Sequence, residues 1–178
     1  ELGNRLQWFE NKLNLTLSIF RTIRFNVDEL TLVSGNLIVT QTPEQRVDGL
    51  DLDFRARPLS GWFILAAWSW MKPIYTEPST EKLWLKGQQL PGAPKRTGRL
   101  WSSYEIQEGD WRGWGIGLGF RHRDNIKIIF RDGPPNSIGI IPGYNVLDAG
   151  IFYRAQSWDI QLNLKNLSDQ TYWSYGII

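Results

Sequence analysis

The chain has no cysteine, so it can form no disulfide bond, thiolate metal site or cysteine nucleophile. It has one histidine, His122, which excludes a histidine-rich metal site and argues against a histidine-dependent catalytic triad. The net charge is only +2 and the lysines and arginines are scattered, so we expect no nucleic-acid partner.

Long apolar runs are also missing. No stretch of 18 or more residues is apolar throughout, which excludes a transmembrane helix. The opening residues, ELGNRLQWFE, have neither the basic start nor the apolar stretch of a signal peptide. If the protein is exported, we therefore expect a processed or truncated chain.

Aromatic residues are what the chain has in excess. Its 178 residues, enough for one domain, include ten tryptophans, six tyrosines and eight phenylalanines. This tryptophan count is high for a soluble domain. The fold must therefore offer an environment that suits many indole rings.

Apolar and polar residues alternate with a period of two in several segments. The clearest is WDIQLNLKNL at residues 158–167, and similar patterns occupy residues 13–25, 45–57, 62–70, 95–106, 114–120 and 142–153. A period of two predicts a β-strand with one apolar and one polar face. With a weaker strand at residues 2–9, we predict an all-β fold of about eight antiparallel strands.

The connections between these strands alternate between short and long. Short turns are predicted at residues 10–12, 58–61, 107–113 and 155–157. Long connections are predicted at residues 26–42, with a short strand or ordered loop arm at 36–41, and at residues 71–94 and 123–141. All short turns then lie at one end of the sheet, which is typical of outer-membrane barrels.

The tryptophans support this membrane interpretation. Four lie at short-turn ends of strands and two near the long-loop end: Trp62, Trp111, Trp114 and Trp158, and then Trp68 and Trp70. Two bands of indole rings on either side of an apolar belt are typical of a membrane-interface girdle. The alternative is a soluble β-sandwich with these rings in its core.

Several segments resemble one known family. LDAGIFYR (147–154) followed by WDIQLNLKNLSDQTY (158–172) resembles the closing region of TonB-dependent outer-membrane receptors, particularly the ferrichrome and related siderophore receptors. QRVDGLDLDFRARPLSGW (45–62), LPGAPKRTGRLWSSY (90–104) and ELGNRLQWFENKLNLTLSIFR (1–21) are similar to preceding barrel strands. The resemblance covers nearly the whole chain, and NLSDQTY is its most specific part.

This resemblance implies a segment of a transmembrane β-barrel in the bacterial outer membrane. Family members form a 22-stranded barrel around an N-terminal plug and begin with a TonB box. Residues 1–178 would be strands fourteen to twenty-one, with the plug domain and final strand absent. Because the first and last strands would have free edges, we expect a curved open sheet or a partial barrel.

The resemblance implies that this chain is a fragment of a receptor for TonB-dependent uptake of a ferric siderophore. A fragment of this kind is not expected to transport alone, because TonB acts through the absent N-terminal region. The implied partners are outer-membrane lipid and, through the full-length parent, the ferric siderophore. No cofactor is implied, and the alternative ligands haem and cobalamin stay open.

No group of residues predicts catalysis, and we expect the protein not to be an enzyme. Asp51 and Asp53 have a spacing compatible with acid and base chemistry. Arg55 and Arg57 continue the same strand face, which favours a charge ladder facing the lumen. The only evidence for the alternative of a β-sandwich enzyme is this pair of carboxylates. A self-contained eight-stranded barrel, acting as a small membrane protein or binding module, is the remaining alternative.

Three other motifs are assigned no function. In GWGIGLG (113–119) the glycines recur every second residue, which does not fit a phosphate loop and predicts a strand with a close neighbour. In the family that neighbour would be the plug. Asn14 and Asn166 begin glycosylation-like patterns that we attribute to chance, and His122 is interpreted as an interface or loop residue rather than a ligand.

Ligand-binding side chains in the family come from the plug and the external loops. Tyr75, Trp84, Phe130 and Arg131 lie in predicted long loops and could stack on or pair with an anionic iron chelate. No motif in this chain identifies a residue that corresponds to a specific ligand-binding residue of the family. We therefore assign no ligand-binding, catalytic, cofactor or metal residue.

Overall fold

The computed structural model describes residues 1–33, 36–78, 80–129 and 138–173. Its strands are β1 (Leu2–Trp8), β2 (Leu13–Val33), β3 (Asn36–Ala56), β4 (Trp62–Glu77), β5 (Arg96–Glu105), β6 (Trp114–Arg123), β7 (Ile126–Ile129), β8 (Ile138–Ile141), β9 (Tyr144–Arg154) and β10 (Asp159–Leu164). A 3-10 helix covers Thr80–Leu85. Among the described residues, no helix is long and apolar enough to span a membrane.

Eight of these strands form one antiparallel sheet. Its order is β1-β2-β3-β4-β5-β6-β9-β10, and β7 and β8 form a separate hairpin between β6 and β9. The sheet begins at β1 and ends at β10 without closing on itself. The predicted all-β, antiparallel and open architecture is therefore confirmed.

The sheet has one apolar and one polar face. Cross-strand register places Leu52 between Leu17 and Trp68, whereas the next residue, Asp53, lies between Thr16 and Ala67. We call the side of the sheet that carries Leu52 the apolar face and the side that carries Asp53 the polar face. Because the register places apolar residues beside apolar residues on neighbouring strands, the alternation along each strand produces one apolar and one polar face across the sheet.

Aromatic rings form a band at each end of the apolar face. At the short-turn end, ring centroids of Trp111 and Trp114 lie 6.5 Å apart, and Tyr153 lies 5.1 Å from Trp114 and 5.3 Å from Trp158. At the long-loop end, Trp68 lies 6.0 Å from Trp70. On β4 the two ends are about 26 Å apart along the strand, close to the apolar band of about 25 Å in outer-membrane barrels.

The prediction of a long connection at residues 26–42 is wrong for most of that range. β2 runs to Val33 and β3 starts at Asn36, so the two strands pair over 21 residues each, or about 70 Å. Asn26, whose φ is +49°, has no cross-strand partner, but pairing resumes at Val27. The polar Asn therefore marks a local irregularity in a long hairpin rather than its end.

The other two long connections are also partly ordered. β4 extends to Glu77, and residues after it fold back so that Tyr75, Leu85 and Leu90 form a small buried cluster. Within residues 123–141, β7 and β8 pair as a hairpin, while residues 130–137 lie outside the described residues. The strand predicted at residues 158–167 is shorter, at Asp159–Leu164.

The glycines of β6 receive aromatic rings from neighbouring strands. A Cβ at Gly117 would lie 2.3 Å from the Trp101 ring, and one at Gly115 would lie 2.2 Å from the Phe152 ring. The close neighbour predicted from the glycine repeat is thus confirmed, but it comes from β5 and β9 of the same sheet. The plug is not needed to explain the repeat.

Replacing Gly117 with alanine should destabilise the sheet by about 1–3 kcal/mol, because the Trp101 ring must move to admit the methyl group. Gly150→Ala is the matched control, since its Cβ would come no closer than 3.3 Å to another atom. Urea unfolding in detergent micelles, followed by tryptophan fluorescence, measures both. Equal midpoints for the two variants would contradict this explanation.

Candidate functional site

The polar face near the long-loop end holds the densest network of polar contacts. Arg121 on β6 donates from Nε to Asp148 Oδ2 at 2.8 Å and from Nη2 to Asp148 Oδ1 at 3.2 Å. The same Asp148 Oδ1 accepts the backbone N–H of Asn166 at 2.9 Å. One carboxylate therefore ties β6 to the segment that follows β10.

That segment, residues 166–173, folds around the Asn166 side chain. Its Oδ1 accepts the backbone N–H of Gln170 at 3.1 Å, and its Nδ2 donates to the Gln170 carbonyl at 3.2 Å. Gln170 Oε1 in turn accepts the backbone N–H of Asn145 at 3.1 Å. The Asn-Leu-Ser pattern at Asn166 thus has a structural role, while Asn14 lies within β2.

Arg123 and two tyrosines hold the far end of the same segment. Arg123 Nη2 donates to the Trp173 carbonyl at 2.6 Å, and its guanidinium lies 4.8 Å from the centre of the Tyr144 ring. The ring of Tyr172 lies 4.6 Å from that of Tyr144. Residues 166–173 are therefore fixed against β6 and β9 along their length, and we call them the clasp.

Two of the aromatic residues predicted in long connections pack in one cluster. Tyr75 is only 2% exposed within its cluster, and Trp84 is half-buried against the same cluster. The Tyr75 ring is therefore unsuited to stacking on a ligand in this conformation. Phe130 and Arg131 lie outside the described residues.

The two long-loop regions after β4 and β6 contact each other. Lys127 Nζ donates to Gln88 Oε1 at 2.9 Å, and the Lys127 carbonyl accepts the backbone N–H of Gly92 at 2.9 Å. Ile126, on the same strand, is 3% exposed. These contacts join the segment after β4 to β7.

The carboxylate pair singled out from the sequence lies on the polar face. Asp51 accepts a hydrogen bond of 2.5 Å from Ser69 Oγ on the neighbouring strand. Arg57 lies with its guanidinium 5.8 Å from the centre of the Phe63 ring. The structure thus gives Asp51 a hydrogen-bonding role within the sheet.

His122 lies at the long-loop end of β6, as predicted, and on the apolar face. Its ring stacks on Trp68 at 5.3 Å with an interplanar angle of 8°, and Nδ1 lies 2.7 Å from Asn145 Oδ1. Nε2 lies 3.3 Å from Asp124 Oδ1. The described residues contain no group of three or more potential metal ligands.

Asp124 lies just beyond β6, where its carboxylate is held by Arg96. Arg96 donates to it from Nε at 2.9 Å and from Nη2 at 3.2 Å. These bonds keep the pKa of the Asp124 carboxyl below its ordinary value, and burial opposes them only partly. The pair therefore keeps its charges at neutral pH and loses its contribution only as the pH falls through that lowered pKa.

Comparison with known proteins decides the family. Residues 1–167 match the family described as "TonB dependent receptor-like, beta-barrel". The chain belongs to the TonB-dependent receptor β-barrel family. Its members are β-barrel proteins of the outer membrane of Gram-negative bacteria. The family and localisation implied by the resemblance are confirmed.

Two relatives of the chain are named as siderophore receptors. It is 27% identical to the probable TonB-dependent siderophore receptor PiuA of Acinetobacter baumannii, over 98% of this chain and 23% of that protein. It is 26% identical to the catecholate siderophore receptor Fiu of Escherichia coli K12, over 97% of this chain and 22% of that protein. The chain thus spans about a quarter of the length of these relatives.

Solved structures agree with the sequence comparison. The crystal structure of PiuA matches with a TM-score of 0.75 at 25% identity, covering 97% of this chain and 24% of that one. Fiu matches with a TM-score of 0.74 at 27% identity, covering 96% and 23%. The copper transporter OprC shares the fold at a TM-score of 0.68 and 20% identity, covering 96% and 25%, so the fold alone does not determine the ligand.

Replacing Asp148 with alanine should loosen the clasp, because Arg121 loses its carboxylate and the Asn166 amide loses its acceptor. Trypsin should then cleave after Lys165 about tenfold faster, as expected if local opening becomes easier by about 1.4 kcal/mol. Asp110→Ala, in an exposed turn, is the control. An unchanged cleavage rate after Lys165 would show that Asp148 does not hold the clasp.

Proposed function

We propose that this chain forms part of the barrel wall of an outer-membrane receptor that takes up a ferric siderophore. The observation that carries the proposal is the two-faced sheet of eight strands in a chain that matches the TonB-dependent receptor barrel over residues 1–167. In this arrangement the apolar face contacts lipid and the polar face lines the lumen. Named relatives that are siderophore receptors support the ligand class.

The place of the chain in the barrel is part of the same proposal. We place residues 1–178 as strands fourteen to twenty-one of a 22-stranded barrel, with the plug domain supplied from outside this segment. Two open sheet edges, at β1 and β10, support this placement, because lipid-exposed strand edges are costly and need neighbouring strands. TonB would act through the plug and not through this wall.

Two arginines on the polar face favour an anionic ligand. Arg24 and Arg99 are exposed on this face, and among the described residues neither has a carboxylate within ion-pair distance. Unpaired guanidinium groups along a water-filled wall attract anions and raise their local concentration. The relatives' names do not specify ferrichrome, and these charges point to an anionic ferric siderophore such as an iron catecholate.

Uptake of 55Fe bound to a catecholate siderophore tests both parts of the proposal. Cells carrying only this chain should show no energy-dependent uptake, because in this proposal TonB acts through the plug and not through this part of the barrel wall. In the full-length parent, the double variant Arg24→Glu, Arg99→Glu should lower uptake at subsaturating ligand by about tenfold through lost electrostatic attraction. Energy-dependent uptake by the chain alone would overturn the proposal.

The control for the charge reversal is the parent with Lys12→Glu and Arg112→Glu. Both residues are exposed at the short-turn end, far from ligand entry, and the net charge change is identical. Uptake by this control should match that of the unmodified parent. If the two double variants lost uptake equally, the loss would be due to net charge and not to Arg24 and Arg99.

A further inference from the structure

β10 is the shorter of the two edge strands of the eight-stranded sheet. It pairs with β9 over Asp159–Leu164, which is six residues, and all six are exposed. By contrast, β6 pairs with β9 over all ten of its residues. Within the described part of the chain, no strand lies on the other side of β10. Its register must therefore be set by β9 or by the residues that flank β10.

The alternation of apolar and polar residues in β10 does not by itself fix this register. Leu162 lies opposite Ile151, and Gln161 lies opposite Phe152. A shift of one residue would exchange the two faces of the strand, so the alternation excludes it. A shift of two residues, or about 7 Å, keeps every side chain on its own face and restores most ladder hydrogen bonds, because the antiparallel pattern repeats every two residues. Another feature must distinguish these registers.

Asp148 on β9 provides a fixed reference point just beyond the end of this ladder. Arg121 on β6 holds its carboxylate with two hydrogen bonds, of 2.8 and 3.2 Å, so its position does not depend on β10. Asp148 Oδ1 accepts the backbone N–H of Asn166, two residues after β10 ends, at 2.9 Å. The N–H of Leu167 donates to the Leu147 carbonyl at 2.7 Å. Moving β10 along β9 by about 7 Å would break both bonds.

The clasp is not built to absorb such a shift. Asn166, whose φ of +57° suits asparagine or glycine, bonds both the N–H and the carbonyl of Gln170 and so fixes the first turn of the clasp. At the far end, Gln170 accepts the N–H of Asn145, and Arg123 donates to the Trp173 carbonyl. Because Asn145 belongs to β9 and Arg123 to β6, the clasp is a short folded segment tied to strands other than β10.

We propose that the clasp is a register lock, which selects one pairing of β10 with β9 among those that the alternation permits. Asp148 and Asn166 are its positioning residues, since they join the end of β10 to a point that β6 and β9 hold in place. The lock rests on contacts within this chain, and only its consequence for the barrel rests on the proposed function. In a barrel the stagger between strands must add up to a fixed total, so a two-residue error at β10 would oppose closure.

Cysteine cross-linking in outer membranes reads this register directly. In a full-length parent that carries no other cysteine, Leu162→Cys is combined in turn with Ile151→Cys, the native pair, and with Ala149→Cys or Tyr153→Cys, the two shifted pairs. Directly opposite residues, with Cα atoms about 4.5–5.5 Å apart, can form a disulfide, whereas diagonal neighbours, about 7–8 Å apart, cannot. After treatment with a membrane-permeable oxidant, trypsin cleaves at Arg154, and mass spectrometry identifies the linked peptides. Without further changes, only the native pair should cross-link.

The double variant Asp148→Ala, Asn166→Gly removes the acceptor and the side chain on which the clasp depends, while glycine tolerates the positive φ. Cross-linking of the shifted pairs relative to the native pair should then rise about tenfold, as expected for the loss of one hydrogen bond to a charged group. Asn163→Ala is the matched control, because the Asn163 side chain accepts from Gln161 within β10 at 2.8 Å. This control should keep the native pairing.

Native pairing alone in D148A/N166G would overturn the inference, and so would an equal rise of the shifted pairs in N163A. If D148A/N166G does not reach the outer membrane, Asn166→Gly alone, which keeps the Asp148–Arg121 pair, is read with the same cysteine pairs. It must then show the shifted pairs, and native pairing alone would again contradict the lock. Register is read without a siderophore, so a failed uptake experiment would count against the proposed function and not against the lock.

Discussion

Backbone hydrogen bonding between neighbouring strands is the constraint on which this structure depends. A strand that crosses a hydrocarbon layer has no water to satisfy its N–H and C=O groups, so each must pair with an adjacent strand. The ladder from β1 to β10 meets that demand apart from the two edges and the irregularities at Asn26 and between Glu44 and Gln45. Constant register then gathers Leu52 and Trp68 on one face and Asp53 on the other.

Period-two alternation made the fold and its faces predictable from the sequence. Strands β5, β6 and β9 begin and end within a few residues of their predicted limits, and β4 begins where predicted, because turns at Gly61 and Gly113 interrupt the pattern clearly. The extension of β2 and β3 was not predictable in this way. Asn26 has the local signature of a turn, and only pairing with the opposite strand keeps the chain extended beyond it.

The contacts of the candidate site were less predictable, since they depend on residues that are distant in sequence. Asp148 meets Arg121 and Asn166 only after β6, β9 and β10 have been aligned. The glycine repeat correctly signalled a close neighbour, but nothing local identified it as Trp101. Tyr75 was predicted in a long connection, but it lies in β4 and is buried with Leu85 and Leu90, which follow that strand.

Cysteine labelling tests the central claim, that the apolar face meets lipid and the polar face meets water. Residues 1–178 contain no cysteine, so single replacements on β3 report without background in a full-length parent that carries no other cysteine. In outer membranes, a water-soluble maleimide should label Asp51→Cys and Asp53→Cys quickly, and Leu50→Cys and Leu52→Cys slowly. Equal labelling at all four positions, or faster labelling at 50 and 52, would contradict the account.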